Sequence, residues 1–338
     1  LQGQFGKTTV KVGRQQLDTP LAASDDARMI PNLFEAAVAI NTDLPDTTVI
    51  GAYVTRMSGW DSQSDRPART QFNSMSRSAL GGTVDTQTVN GADYVIGDKP
   101  VYVVAAINSS IKDLTLQAWD YYAVDVLNAV YLQADYKLGL AKDVGLALSG
   151  QYYTLNNIGE TKDLLSATAA TGLGKLSYDV WGAKAAVSFD ALGLTPYVAY
   201  NKISEQKDGV SGGSFVFGAW GGYPEFAIAE EFWYNSFGTA ATASFAMNGA
   251  NVWKAGVDYS LEKLGLGART IGLGYTNFDL KDKYNGNIDA DAKVWDIIYT
   301  CSGALVKNLD AKIAYTSIDR KDSANDRQVF KAVFNYNF

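Results

Sequence analysis

The strongest constraint in this chain is an alternation of period two, plainest in its last segment. In Phe330-Lys331-Ala332-Val333-Phe334-Asn335-Tyr336-Asn337-Phe338, every second residue (Phe330, Ala332, Phe334, Tyr336, Phe338) is apolar or aromatic, and those between are smaller or polar. Successive side chains of an extended strand point to opposite faces. One face of this segment is therefore greasy and the other wettable.

The same alternation recurs along the chain. Fourteen segments read as strands, near 5–15, 33–41, 48–58, 101–109, 114–123, 126–138, 143–154, 176–189, 193–203, 251–261, 269–279, 292–303, 309–318 and 327–338. Their length, about 9 to 13 residues, crosses a bilayer when the strand is tilted. Segment 176–189 sets Trp181, Ala183, Ala185, Val187 and Phe189 against Tyr178, Gly182, Lys184 and Ser188. Segment 251–261 sets Trp253, Ala255, Val257, Tyr259 and Leu261 against Lys254, Gly256, Asp258 and Ser260. Segment 292–303 sets Trp295, Ile297 and Tyr299 against Asp296 and Thr300. Trp and Tyr gather near strand ends, as an aromatic girdle requires.

Connections alternate in length. Short turns fall at 41–47, 109–113, 138–142, 190–192, 262–268 and 306–308, and longer polar stretches at 16–32, 59–100, 155–175, 204–250, 280–291 and 319–326. Short turns on one side of a membrane and long loops on the other are the outer-membrane barrel pattern. The exception is 123–125, short where a long loop is due. The turns at 190–192 and 262–268 belong to the same side, so only an even number of further strands fits between the strand leaving the first and the strand entering the second. Stretch 204–250 is accordingly expected to be one long folded loop. A soluble β-sandwich also alternates, but its strands are typically about 5–6 residues long. No run of about 18 apolar residues occurs, so no transmembrane helix is expected. The fold expected is an all-β, transmembrane, antiparallel up-and-down β-barrel forming a single domain over 1–338. Loops 16–32, 59–100 and 204–250 are expected to fold inward or lie outside.

Composition removes several classes of function. The formal charge of −7 is the wrong sign for a nucleic-acid binder. The single cysteine, Cys301, forbids an internal disulfide and cysteine-based metal sites. Histidine is absent, which removes Ser-His-Asp and Cys-His catalysis and the commonest metal ligand. No enzyme is expected, and no cofactor. The acidic loop residues Asp61, Asp65, Asp279, Asp282, Asp289 and Asp291 leave Ca²⁺ or a divalent bridge to lipopolysaccharide as an open alternative, without specific ligand spacing.

The terminal strand ending in Phe338 resembles the C-terminal strand of bacterial outer-membrane barrels, where Phe334, Tyr336 and Phe338 would belong to the signal read by the assembly machinery. Two further segments resemble the OprD-type family of substrate-selective outer-membrane porins. One is Gly13-Arg14-Gln15-Gln16-Leu17-Asp18-Thr19-Pro20 followed by Ser24-Asp25-Asp26-Ala27-Arg28-Met29-Ile30-Pro31-Asn32-Leu33-Phe34-Glu35. The other is the C-terminal third, from Glu231-Phe232-Trp233-Tyr234-Asn235 through Trp253-Lys254-Ala255 and Ala311-Lys312-Ile313 to Phe338. The resemblance implies an 18-stranded barrel, monomeric or trimeric, with loops forming an eyelet. About four strands would then precede the Gly-Arg-Gln strand, with Leu1–Gln4 as the tail of one; a complete 14-stranded barrel is the alternative. The chain opens Leu1-Gln2-Gly3, consistent with a removed secretory leader or a start partway in.

An eyelet selects by size and by charges projecting into a narrow passage. Arg28 matches the family's eyelet arginine, with Asp25 and Asp26 beside it; an ordinary loop salt bridge is the plainer reading. Lys7, Lys11, Lys184, Lys254, Lys312 and Lys331 fall on wettable faces and resemble the family's basic ladder, which guides carboxylates. The ladder here is thinner, and lysine grips a carboxylate as a point charge where arginine offers a fork. Asp135, Asp258, Asp296 and Asp310 share the lumen parity, and rows of opposite charge would orient dipolar solutes. Tyr131, Tyr153 and Tyr197 would narrow the passage or fill space. Glu230-Glu231, in the loop 204–250, reads as a second eyelet element or a trimer contact.

The function expected is a passive porin of the bacterial outer membrane for small hydrophilic solutes, favouring carboxylate-bearing or zwitterionic ones such as amino acids. Its surroundings would be lipid and lipopolysaccharide, and a homotrimer its commonest assembly. The competing class is a structural surface protein or adhesin anchored by a barrel. A hydrophobic-substrate channel would need a more apolar lumen than these faces offer.

Overall fold

The computed structural model describes residues 1–24, 31–59, 72–79, 86–95, 97–167, 177–204, 220–230, 249–279, 291–303, 306–321 and 326–336. The strands are β1 (Gln2–Phe5), β2 (Thr8–Gln15), β3 (Leu33–Asn41), β4 (Thr47–Ser58), β5 (Asn73–Ser74) and β6 (Thr86–Val89). There follow β7 (Ala92–Val95), β8 (Val101–Asn108), β9 (Leu114–Ala123), β10 (Leu127–Ala141), β11 (Val144–Asn157) and β12 (Ser177–Phe189). The last are β13 (Leu194–Ile203), β14 (Asn251–Ser260), β15 (Arg269–Asp279), β16 (Ala292–Ser302), β17 (Leu309–Arg320) and β18 (Arg327–Tyr336). Two short helices, α1 (Met75–Ala79) and α2 (Gly159–Ala167), sit in long connections. No helix among the described residues is long and apolar enough to cross a membrane.

One sheet of 16 strands runs β1-β2-β3-β4-β8-β9-β10-β11-β12-β13-β14-β15-β16-β17-β18, with β5 paired to β4; β6 and β7 form a separate hairpin. Main strands thus neighbour their sequence neighbours, the up-and-down order. All fourteen expected strands are present, and β3, β9 and β15 end where the alternation places them. Three features differ. The expected strand 5–15 begins only at Thr8, because Gly6 takes a left-handed φ of 61° and puts Lys7 in a turn rather than on a strand face; β1, where the tail of a preceding strand was expected, pairs with it across that turn. Strands β10 and β11 run further than expected, to Ala141 and Asn157. The loops 59–100 and 155–175 carry α1, the β6–β7 hairpin and α2.

Tight turns share one local solution. Thr47, Leu114, Val126 and Leu309 each donate their amide to the carbonyl three residues back, on Leu44, Ile111, Ala123 and Val306. The residue before each donor (Asp46, Asp113, Asp125, Asn308) has positive φ. Asp and Asn tolerate that region because their short polar side chains bond locally. The anomalous link 123–125 is therefore a true turn of the same kind.

The chain forms two compact units: Leu1–Ala134 with Gln151–Val180 and Ser204–Pro224, and Asp135–Gly150 with Trp181–Ile203 and Glu225–Phe338. In the first, Phe34, Val103, Tyr121, Ala129 and Tyr153 are buried, while Tyr53, Tyr102, Val104, Tyr122 and Leu132 on the opposite face stand exposed. In the second the inversion is sharper. Asn201, Lys254, Thr276, Asp296 and Thr316 are buried, whereas Trp181, Trp253, Leu273, Trp295, Ile297 and Phe330 are exposed. Water-soluble proteins do the reverse. A sheet that hides its charges and bares its large apolar residues has hydrocarbon against the bared face. That face carries aromatic rows: Tyr53 against Tyr102 at 5.2 Å, and Trp253, Tyr275 and Trp295 in succession at 5.2 and 4.6 Å between ring centres.

Candidate functional site: the covered face of the strands

In the first unit two connections meet over the covered face. Residues 17–24 form a closed turn. Ser24 donates its amide to Leu17 O at 2.7 Å, and Thr19 and Ala22 are cross-bonded through backbone and hydroxyl. Ser24 Oγ donates to the Asn32 carbonyl, and Asn32 Nδ2 returns a bond to Ala23 O. Ala22 bridges Trp220 and Gly221, with Ala23 N donating to Trp220 O at 3.0 Å. The Trp220 indole donates to Met75 O at 3.0 Å, and its ring centre lies 6.3 Å from that of Tyr121. Tyr121, fully buried, receives the Leu21 amide at 3.3 Å. Where the connections cross, a Cβ on Gly222 would collide with Pro20 O and the Leu21 backbone. Only glycine allows that approach. Asp25, Asp26 and Arg28 lie outside the described residues, but the base from which their loop springs is stitched at Ser24 and Asn32.

In the second unit, residues 225–230 lie across the covered face of β13 to β17. Ala227 N is received by Asn201 Oδ1 at 2.8 Å, and Lys254 Nζ donates to Ile228 O at 2.9 Å. Glu230 N donates to Asp296 Oδ2 at 3.3 Å, and Lys312 forms an ion pair with the Glu230 carboxylate. Asp296 Oδ1 also accepts from Thr316 Oγ1 at 2.8 Å, with Lys254 Nζ 3.7 Å from Oδ2. Lys254 and Asp296 are 9% and 2% exposed. Charges so buried survive only when paired and hydrogen-bonded. Gly274 makes room for Lys254, whose Cε would lie 3.0 Å from a Cβ added there.

Further along this face, Lys184 Nζ, on β12, stands 5.2 Å from the ring centre of Tyr197 on β13. That ring lies over Gly256, where an added Cβ would be 2.5 Å from Cζ and Oη. Asp258, half-buried, faces Gly272 in register.

The other expected residues are scattered along the covered parity. Asp135 accepts from Ser149 Oγ, and Asp310 from Ser302 Oγ, each at 2.6 Å. Lys331 is half-buried opposite Ala314. Lys11 is exposed, in register with Gln2 and Val38. Phe334 and Tyr336 are exposed on β18; Phe338 lies outside the described residues, as do Asp61, Asp65, Asp282, Asp289 and Glu231. Asn201, Thr316 and Trp220 carry no sequence signal that singles them out. The first two have the right parity, but Trp220 offers only an aromatic beside two glycines in a polar loop.

Next-neighbour antiparallel strands of membrane-spanning length, a bared apolar face with aromatic rows and a covered face bearing charges of both signs define an outer-membrane β-barrel porin. The family model for outer membrane porins of the OprD family matches residues 2–338, and the chain belongs to that family. Among solved structures it is similar to Pseudomonas aeruginosa OccK8 (OprE), with a TM-score of 0.71, 15% identity and coverage of 99% of this chain and 78% of the other. It is also similar to P. aeruginosa OccK3 (OpdO), with a TM-score of 0.67, 17% identity and coverages of 99% and 77%. A third similar structure, P. aeruginosa OpdK with vanillate, gives 0.68, 16%, 99% and 77%. A search of curated proteins found no match.

Proposed function

We propose that this porin passes small hydrophilic solutes down their concentration gradients and favours those carrying a carboxylate, zwitterionic amino acids included. One observation carries the reading: beyond the pairs that 225–230 engages, the covered face still carries charges of both signs, Lys184 over the Tyr197 ring and the half-buried Asp258. Charges of both signs across a narrow passage orient a dipolar solute. The fork-less lysine gives a carboxylate a transient hold and lets it leave. The similar OpdK was solved with vanillate, itself a carboxylate, which supports the same solute class. Transport of this kind needs no cofactor. Lipid and lipopolysaccharide surround the bared face, and β18, with Phe334 and Tyr336, is read by the assembly machinery. Arg28 is the eyelet cation, by its match to the family motif.

Reversal potentials across a planar bilayer in a salt gradient test this. The wild type is expected to show weak anion preference, and Arg28→Glu a shift towards cations. A strongly cation-selective wild type overturns the carboxylate preference; an unchanged potential in the variant removes Arg28 from the constriction.

A further inference from the structure

We infer that Lys254, Asp296, Glu230 and Lys312 are a clamp that fixes a strap, residues 225–230, against the wall, and are not rungs of a ladder contacting solute. The inference rests on the channel reading.

Four observations converge on the clamp. The strap is tied to four different strands, through Asn201 on β13, Lys254 on β14, Asp296 on β16 and Lys312 on β17. Two of the ties run to strap backbone from buried charges: Lys254 Nζ to Ile228 O, and Asp296 Oδ2 from Glu230 N. Ala227 and Ala229 are each 1% exposed, so the strap rests directly on the wall. Lys254 has little surface left to offer a solute, and its charge is matched at 3.7 Å by Asp296. A ladder rung needs a free, wetted cation; this lysine is dry and occupied. The buried carboxylate in turn accepts from a hydroxyl and an amide and is paired with an ammonium 3.7 Å away, the kind of satisfaction that makes a buried pair rigidifying. The passage beside the strap is then shaped by its backbone and by Lys184, which stands over the Tyr197 ring.

The clamp and the ladder make different demands on opposite charge changes. A ladder lysine and a lumen aspartate act on solute in opposite senses. Two halves of one clamp fail alike. The experiment places a thiol on the strap as Ala229→Cys; the native Cys301 is buried and serves as the silent background. Labelling by a charged aqueous thiol reagent and open-channel noise are read in otherwise wild-type protein, in Lys254→Met and in Asp296→Asn. A clamp predicts slow labelling in the wild type, and labelling faster by about tenfold or more, with raised noise, in both variants, the scale set by losing one charged hydrogen bond. An introduced thiol equally unreactive in all three backgrounds overturns it, as does Lys254→Met lowering anion current with the strap still protected. Glu230→Gln breaks only the half-buried bridge to Lys312, so it keeps the test decisive should a buried-pair variant fail to insert. Labelling is read without current, so a protein that inserts but does not conduct defeats the channel reading and leaves the clamp to be judged by its thiol.

Discussion

Replacing Ile297 by lysine probes which face of the sheet meets hydrocarbon. Ile297 is the middle residue of β16 (Ala292–Ser302), 50% exposed, with Leu273 and Tyr315 beside it in register. At about 3.4 Å per residue it stands ~17 Å along the strand from either end. With the tilt of about 40° usual for such barrels, that is ~13 Å of depth, the centre of an apolar band ~25 Å tall. A lysine there destabilises by about 2–4 kcal/mol, roughly 30- to 900-fold in the folding equilibrium. Ile298, next along the chain, has the opposite parity and faces Gly272 across β15. Its replacement by lysine keeps the charge in the wetted passage and has a far smaller effect. Urea titrations of folding into phospholipid vesicles, read by the heat-modifiable gel shift, compare the two. Ile297→Lys within about 1 kcal/mol of wild type, or no worse than Ile298→Lys, refutes the assignment of faces, because a merely water-exposed isoleucine accepts lysine freely.

Two glycines carry further predictions. Gly222→Ala drives a methyl into Pro20 and Leu21, so the crossing of the two connections opens; limited proteolysis of the folded protein should cut near 17–24 at least several-fold faster, with no change in the barrel's own gel shift. Gly256→Val sets a Cβ 2.5 Å from the Tyr197 ring and 2.7 Å from Leu273 O. Overpacking of this kind costs about 1–3 kcal/mol, and in the urea titration Tyr197→Ala should recover part of that loss but not the backbone part.

The period-two pattern makes the fold legible because each residue's face is a local property. Trp181 and Ile297 stand exposed, and Val257 shares the face of Trp253, as their spacing requires. The turn between β1 and β2 is hidden from the pattern because Gly6 and Lys7 interrupt the extended run without breaking its polarity rhythm. Candidate lumen residues are legible to the extent that parity reaches. Lys254 and Asp296 can be placed on one face, but not in each other's company, and not under a strap whose Ile228 carbonyl accepts the lysine's hydrogen bond. Nor does any local signal join Trp220 to Met75, 145 residues away. Such pairings are decided by how long loops return to the wall, and loop closure leaves almost no trace in local composition.

Single-channel recording from purified protein in a planar bilayer tests the central claim most directly. A water-filled porin inserts as discrete steps of steady current, linear in voltage, and the steps shrink when a small carboxylate enters the passage. Protein shown by its gel shift to be folded in the membrane, yet leaving the bilayer silent, would contradict the account and favour a barrel that serves as an anchor.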